Sequence, residues 1–359
     1  MPMRKLQWIF FGLYLIAVVA GAATGVWYLF YSEPVPPARP DLVVLPEDAP
    51  PAPPGYPTLK ALYLAYMLGR IPVIDAFGNI PVPEGVIEKT DIEYGRVGER
   101  ALLLDLYYPD SLVEPAPGLV FIHGGGWQSG DKRDYKYYTT RYAQRGYVVA
   151  TIGYRFKQEA PFPACVEDAK CAVRWMRANT EELSVDPDRI AVIGGSAGGY
   201  LSMMVGYSPD VPELEGNGGH AGVSSAVACV VNLYGPTDLT ADMARAHGLV
   251  ESFLDTTYEQ DPDRFTLASP IHHLDATDPP TLIIQGTIDD IVPVAQADLL
   301  AERLRELGVH YWYDRLDGWM HTLDIVAPLN ERVQWLMNAF FEEHLAKKEK
   351  AAGTAPRDR

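Results

Sequence analysis

Cysteine is scarce: three occur in 359 residues. Cys165 and Cys171 fall six apart in a stretch of helical periodicity, where they point to different faces and lie too far apart to bridge. A disulfide framework is excluded on that ground. No CxxC pair and no zinc-type spacing occurs, so metal and redox chemistry lack support and neither a metal nor a cofactor is expected. Basic charge is also short. Thirty Lys and Arg against 47 Asp and Glu leave a formal net charge of −17, and such a chain lacks the cationic face that neutralises phosphates. Nucleic acid is therefore not an expected partner. No internal repeat is visible. What is abundant is apolar material: 48% of residues are hydrophobic, enough for one large α/β domain with additions.

Charge is absent altogether from residues 6–31, which follow Arg4 and Lys5. A bilayer span needs only about 20 apolar residues. Basic residues before the run, with none soon after it, predict an N-terminus inside and the bulk of the chain outside the cytoplasm, on a periplasmic or extracellular face. Two readings of 1–31 stand. A transmembrane anchor fits the aromatics Trp27, Tyr28, Phe30 and Tyr31 near its end, whereas a cleaved leader followed by secretion fits the small residues Ala20-Gly21-Ala22. Residues 32–57 are so rich in proline that neither helix nor central strand is expected, and they predict a semi-rigid spacer. Residues 58–83 predict a packing helix and a connection, too short for a second span. The main domain is expected over 84–346, with a polar tail at 347–359.

Within the main domain, strand and helix patterns alternate. Residues 87–94 and 101–108 read as a hairpin around "GRVGER". Short apolar strands follow at 118–122, 147–152, 190–193, 226–233, 281–285 and 310–316, separated by helical periodicity near 135–144, 165–179, 295–307 and 330–346. Buried strands alternating with helices predict an α/β fold: a mostly parallel central sheet with helices on both faces, its site at the carboxyl ends of the strands.

Residues 191–204, "AVIGGSAGGYLSMM", pass from a strand through a glycine corner into a helix. Gly194, Ser196 and Gly198 form GxSxG in the strand-to-helix context where the motif projects a nucleophile at a helix N-terminus. "FIHGGGWQSGD" follows another strand. Its bare backbone offers the N–H groups of Gly125 and Gly126 which, with that of Ala197, predict an oxyanion hole. His123 is expected to orient that loop. Of eight histidines, His321 in "LDGWMHTLD" is the expected base, since it follows the last strand and any candidate acid. "TLIIQGTIDDIVP" offers Asp289 and Asp290 as the acid, Asp289 preferred by its spacing from Gly286 and Pro293. Serine, aspartate and histidine then run in the chain order of α/β-hydrolases. Trp127, Tyr200 and Trp319 lie beside these positions and are expected to border the substrate.

"HGGGW", "DPDRIAVIGGSAGG", "NLYGPTDL" and "GTIDDIVP", in register over roughly residues 86–345, resemble the esterase/lipase α/β-hydrolases. These include hormone-sensitive-lipase-type carboxylesterases and bacterial feruloyl and acetylxylan esterase-like enzymes. The resemblance implies an α/β-hydrolase fold, a catalytic Ser196, Asp289 and His321, and an oxyanion hole from the HGGG segment and Ala197. "GWMHTL" departs from it, for many relatives have a glycine beside the histidine. The expected activity is hydrolysis of carboxylic esters through an acyl-enzyme, on short-acyl or carbohydrate-linked (acetyl or feruloyl) substrates. A peptidase or arylformamidase on the same fold, and an inactive membrane-tethered binding module, are the competing readings.

Overall fold

Apolar runs too short for helices build the sheet. In the computed structural model, which describes residues 36–76, 80–245 and 248–347, eight strands form one sheet: β1 (Val86–Val97), β2 (Arg100–Pro109), β3 (Ala116–Ile122), β4 (Val148–Ile152), β5 (Val185–Gly195), β6 (Cys229–Leu233), β7 (Thr281–Gly286) and β8 (Tyr311–Leu316). Their order is β1-β2-β4-β3-β5-β6-β7-β8. Only the first two pairings, β1 with β2 and β2 with β4, are antiparallel; the rest are parallel. Every residue of β4 and β6 is buried, which is why these strands read as continuous apolar runs instead of alternating ones.

Among the described residues, six longer helices flank the sheet: α1 (Leu59–Met67), α2 (Lys136–Gln144), α3 (Ala164–Ala178), α4 (Ala197–Tyr207), α5 (Ala295–Leu307) and α6 (Ala327–His344). Helices α3, α4 and α5 share one core, and α1, α2 and α6 share the core on the opposite face. The sequence-based boundaries move by a few residues. Strand β5 starts at Val185, five residues before the apolar run, because Val185 already pairs with Ala116. Helix α6 starts at Ala327, with Pro328 in its first turn, where a missing N–H is harmless. All three cysteines are buried and free.

The expected semi-rigid spacer instead packs on the domain over its described part. Residues 36–57 lie along β8 and α5. Leu42 is wholly buried, Arg39 pairs with Glu302 at 2.6 Å, and Val44 forms an antiparallel bridge with Tyr313, whose N–H donates to its carbonyl at 2.8 Å. Proline has no N–H but keeps its carbonyl. That of Pro37 accepts from Arg315 Nη2 at 2.9 Å and that of Pro53 from Trp319 Nε1 at 3.1 Å. A composition that forbids regular structure therefore still docks as an acceptor strap. The strap ends where Tyr56 N–H donates to the Gly318 carbonyl at 2.9 Å, and Thr58 then caps α1 through its side chain.

The apolar run 6–31 and the tail from residue 348 lie outside the described residues. Among the described residues, no helix is long and apolar enough to cross a membrane.

Candidate active site

Ser196 stands between β5 and α4 with φ 56° and ψ −123°, a region that non-glycine residues seldom occupy without being held there. Its N–H donates to the Leu233 carbonyl at 2.9 Å and its carbonyl accepts from Tyr200 N–H at 3.0 Å. The flanking glycines answer to space. A Cβ on Gly198 would lie 1.9 Å from the Ile122 carbonyl oxygen, and one on Gly194 would lie 2.3 Å from the Gly198 carbonyl carbon. Gly198→Ala must therefore separate α4 from β3. A stability loss of about 3 kcal/mol or more is expected, read as a lowered midpoint in urea.

Residues 317–320 carry the chain from β8 back over the serine, and His321 Nε2 lies 2.9 Å from Ser196 Oγ. Its Nδ1 lies 2.7 Å from Asp289 Oδ2. The Asp289 carboxylate is fixed by three further donors: Gln285 Nε2 at 2.9 Å on Oδ2, and the N–H groups of Ile291 and Val292 at 2.9 and 2.8 Å on Oδ1. Asp290, by contrast, is exposed. Of the two adjacent acids left open by the sequence, the structure joins Asp289 to the histidine.

Gly125 (φ 112°) and Gly126 (φ 59°) line a cavity together with Ser196 and Ala197. Ala197 is the first residue of α4, so the helix makes no use of its N–H. The glycine loop is braced through its carbonyls. Gly124 O accepts from His123 Nδ1 at 2.7 Å, Gly125 O from Ser129 Oγ at 3.0 Å and Trp127 O from Lys157 N–H at 2.9 Å. His123 stacks on Tyr154 at 4.4 Å. Burial lowers its pKa, so the ring stays neutral and supports the loop from behind.

The cavity encloses about 860 Å³, within the size range of small-molecule sites. Trp127 lines it, stacked at 4.2 Å on Phe253. Tyr200 and Trp319 do not, and these two expectations are corrected. Tyr200 points from α4 into the core beneath Trp127, edge-on at 5.2 Å and wholly buried. The Trp319 indole, buried, turns to the Pro53 carbonyl and packs edge-on against Tyr56 at 5.7 Å. Adjacency in sequence to a catalytic position fixes the backbone but not the direction of the side chain.

The cavity's apolar walls come instead from two places that the motifs do not mark. Ile74 and Ala76 follow α1, while Leu249 and Val250 open the short helix Leu249–Leu254 between β6 and β7. The first pair is pinned beside the histidine loop by Ile74 N–H donating to Ile325 O at 2.8 Å and Ala327 N–H to Pro72 O at 2.9 Å.

Beside the base lies a second carboxylate that motif reasoning missed. Asp324 accepts from the Tyr234 hydroxyl and, at 3.2 Å, from that of Tyr138. Asn330 Nδ2 donates to Tyr138 Oη at 2.7 Å and to Asp324 O at 2.8 Å. Burial lifts the Asp324 carboxyl above the usual range, opposed first by the two phenols. The Tyr234 ring stands 4.7 Å from His321. Its one signal in the sequence is an acid three positions beyond the histidine, in "HTLD".

Among the described residues, the one grouping of potential metal ligands is His310, Glu343 and His344. It joins the amino end of β8 to the carboxyl end of α6, at the opposite end of that strand from His321.

A family profile described as BD-FAE matches residues 104–304. The chain is 31% identical to Esterase LipQ of Mycobacterium tuberculosis over 266 residues, covering 71% of this chain and 62% of that protein. It is 33% identical to Esterase LipC of the same organism over 248 residues, covering 67% and 61%. The chain thus spans about three fifths of the length of these curated relatives. Among solved structures, a truncated form of a carbohydrate esterase from gut microbiota superposes with a TM-score of 0.63 at 25% identity, covering 77% of this chain and all of that one. A propionate-bound esterase of Thermogutta terrifontis gives 0.62 at 28% identity, covering 74% and 98%.

Proposed function

Because the chain belongs to the BD-FAE family of α/β-hydrolases, we propose that it is a serine hydrolase of carboxylic esters. The observation that carries this reading is the unbroken relay from Asp289 through His321 to Ser196, with spacings of 2.7 and 2.9 Å. Ser196 Oγ attacks the ester carbonyl as its proton passes to His321 Nε2. Asp289, accepting from Nδ1–H, holds the productive tautomer and stabilises the imidazolium. The tetrahedral oxyanion rests on the N–H groups of Gly125, Gly126 and Ala197; one such donor contributes on the order of 3 kcal/mol to barrier lowering. His321 then protonates the leaving alcohol. Water, deprotonated by the same nitrogen, releases the acid and restores the serine. Every proton in this cycle is handled by His321, and no step calls for a cofactor.

For the acyl group we infer a short chain, or one carried on a carbohydrate. Leu249 packs against the glycine loop in the wall of the cavity that holds Ser196, where a Cβ on Gly126 would lie only 2.9 Å from Leu249 Cδ2. The neighbours whose names specify propionate or a carbohydrate esterase support the same class. Hydrolysis of p-nitrophenyl esters from acetyl to lauroyl tests it: kcat/KM is expected to peak at four carbons or fewer and to fall at least tenfold by lauroyl. A maximum at lauroyl refutes the acyl assignment. Equal, negligible rates across the series refute the hydrolase itself.

The uncharged run at 6–31 supports a membrane-anchored chain with its catalytic domain outside the cytoplasm. An intact mass that includes residues 1–31 is the expected result, whereas a mature chain starting just after Ala22 indicates a cleaved leader.

A further inference from the structure

Helix α1 is apolar on more than the face it buries. Ala61, Leu62 and Ala65 pack into the core, yet the other side carries Tyr63, Tyr66 and Met67, and Leu68 follows. Met67 is 74% exposed, Leu68 59% and Tyr66 51%. No charge occurs in residues 61–69. Water is a poor environment for such a helix, which is apolar nearly all round. Val73, which follows α1, and Ile291, which lines the cavity, are exposed as well. Immediately beyond Val73 the chain enters the cavity wall as Ile74 and Ala76, so the apolar surface, flanked by the exposed Arg70 and Asp75, adjoins the space in front of Ser196.

The strap shows what this surface faces. Pro37, near its start, is held by Arg315, and Tyr56, near its end, by Gly318. Both ends of the strap therefore sit at the carboxyl end of β8, the end that bears His321. Between Tyr31, where the apolar run stops, and Pro36 lie four residues, a reach of at most about 18 Å. A span in the bilayer at 6–31 would hold Pro36 within that distance of the lipid, at the same end of β8 from which Tyr56 leads into α1. One anchor then supplies the high local concentration that a small apolar face needs to bind a surface. Tyr63 and Tyr66, amphipathic rings beside Met67 and Leu68, suit the headgroup boundary.

We propose that the face formed by Tyr63, Tyr66, Met67, Leu68, Val73 and Ile291 seats on the bilayer, and that the enzyme draws amphiphilic esters from the membrane directly into its cavity. This rests on the ester-hydrolase and anchor readings above. Its substrate class is a short acyl group esterified to an alcohol whose apolar body partitions into lipid. Water-soluble esters of the same acid reach the serine without using the face.

The test uses the full chain reconstituted in phosphatidylcholine–phosphatidylglycerol vesicles, with dodecyl acetate in the bilayer and ethyl acetate in the water, so the acyl group is constant. The double substitution Met67→Glu with Leu68→Glu is expected to lower kcat/KM on dodecyl acetate at least tenfold and to leave that on ethyl acetate within twofold. Equal effects on both esters, or none on either, overturn the proposal. A second readout needs no catalysis. Met67→Cys carrying an environment-sensitive fluorophore, with the three native cysteines buried, is expected to be quenched by spin-labelled lipids. A probe shielded from water but untouched by lipid quenchers marks a second copy of the chain as the occupant, and a water-exposed probe marks none; either result overturns the proposal. No hydrolysis of either ester by the unsubstituted chain, with lipid quenching retained, refutes the hydrolase reading and leaves the membrane face standing.

Discussion

Ser196→Ala is expected to lower kcat on p-nitrophenyl acetate by about 10⁵-fold while leaving the unfolding free energy measured in urea within about 0.5 kcal/mol of the parent. The change removes one oxygen atom, and the neighbours that fix the corner do not depend on it. Ser196 N–H still reaches Leu233 O, and its carbonyl still receives Tyr200 N–H. What disappears is the atom 2.9 Å from His321 Nε2, and with it the covalent route. A 10⁵-fold loss corresponds to about 7 kcal/mol of barrier. Because the cavity and the three N–H donors remain, KM should hardly move and a residual rate above the uncatalysed one should survive. Turnover within tenfold of the parent would remove the serine from the mechanism.

Asp289→Asn and Asp290→Asn, adjacent and chemically identical, are expected to differ by about 10⁴-fold in kcat. At 289 the amide replaces a carboxylate that accepts from four donors, His321 Nδ1, Gln285 Nε2 and two backbone N–H groups. An Asn side chain presents an NH₂ to at least one of them. The imidazole is then free to turn its N–H toward Ser196, the tautomer unable to take the serine proton. At 290 the side chain is exposed, and the same substitution should change kcat less than threefold. Comparable losses at both positions would mean that electrostatic influence of the loop, and not the hydrogen bond to Nδ1, governs the base.

Much of this arrangement is legible in the sequence because backbone demands leave residue-type signatures. The glycines of GxSxG are there because Gly194, Gly198 and Ile122 approach within distances that no Cβ tolerates, and that constraint is written in the chain itself. The order of serine, acid and base follows from which parallel strand each one ends. The walls of the cavity carry no such mark. Ile74, Leu249 and Val250 are ordinary aliphatic residues at positions fixed only by how residues 72–74 pair beside 325–327 and how the β6–β7 connection folds over the serine. Tyr200 and Trp319 adjoin catalytic positions along the chain, yet their side chains turn away from the cavity toward Trp127 and Pro53. The strap is the clearest case. Proline content excludes helix and interior strand, but says nothing about carbonyls, and it is through carbonyls that Pro37 and Pro53 are held.

The bridge between Val44 and Tyr313 has a bearing on how this protein can be handled outside its cell. Strand β8 closes one side of the sheet, and a bare last strand is a template on which another molecule's strand can grow. Here the chain shields that border with a proline-rich segment that cannot propagate a ladder further. A recombinant fragment cut at residue 58, where composition alone would place the start of the folded unit, uncovers the border and leaves the pocket of Leu42 empty. Soluble aggregates, not loss of the serine's chemistry, are the failure that such a trimmed fragment invites, and a start ahead of residue 36 avoids it.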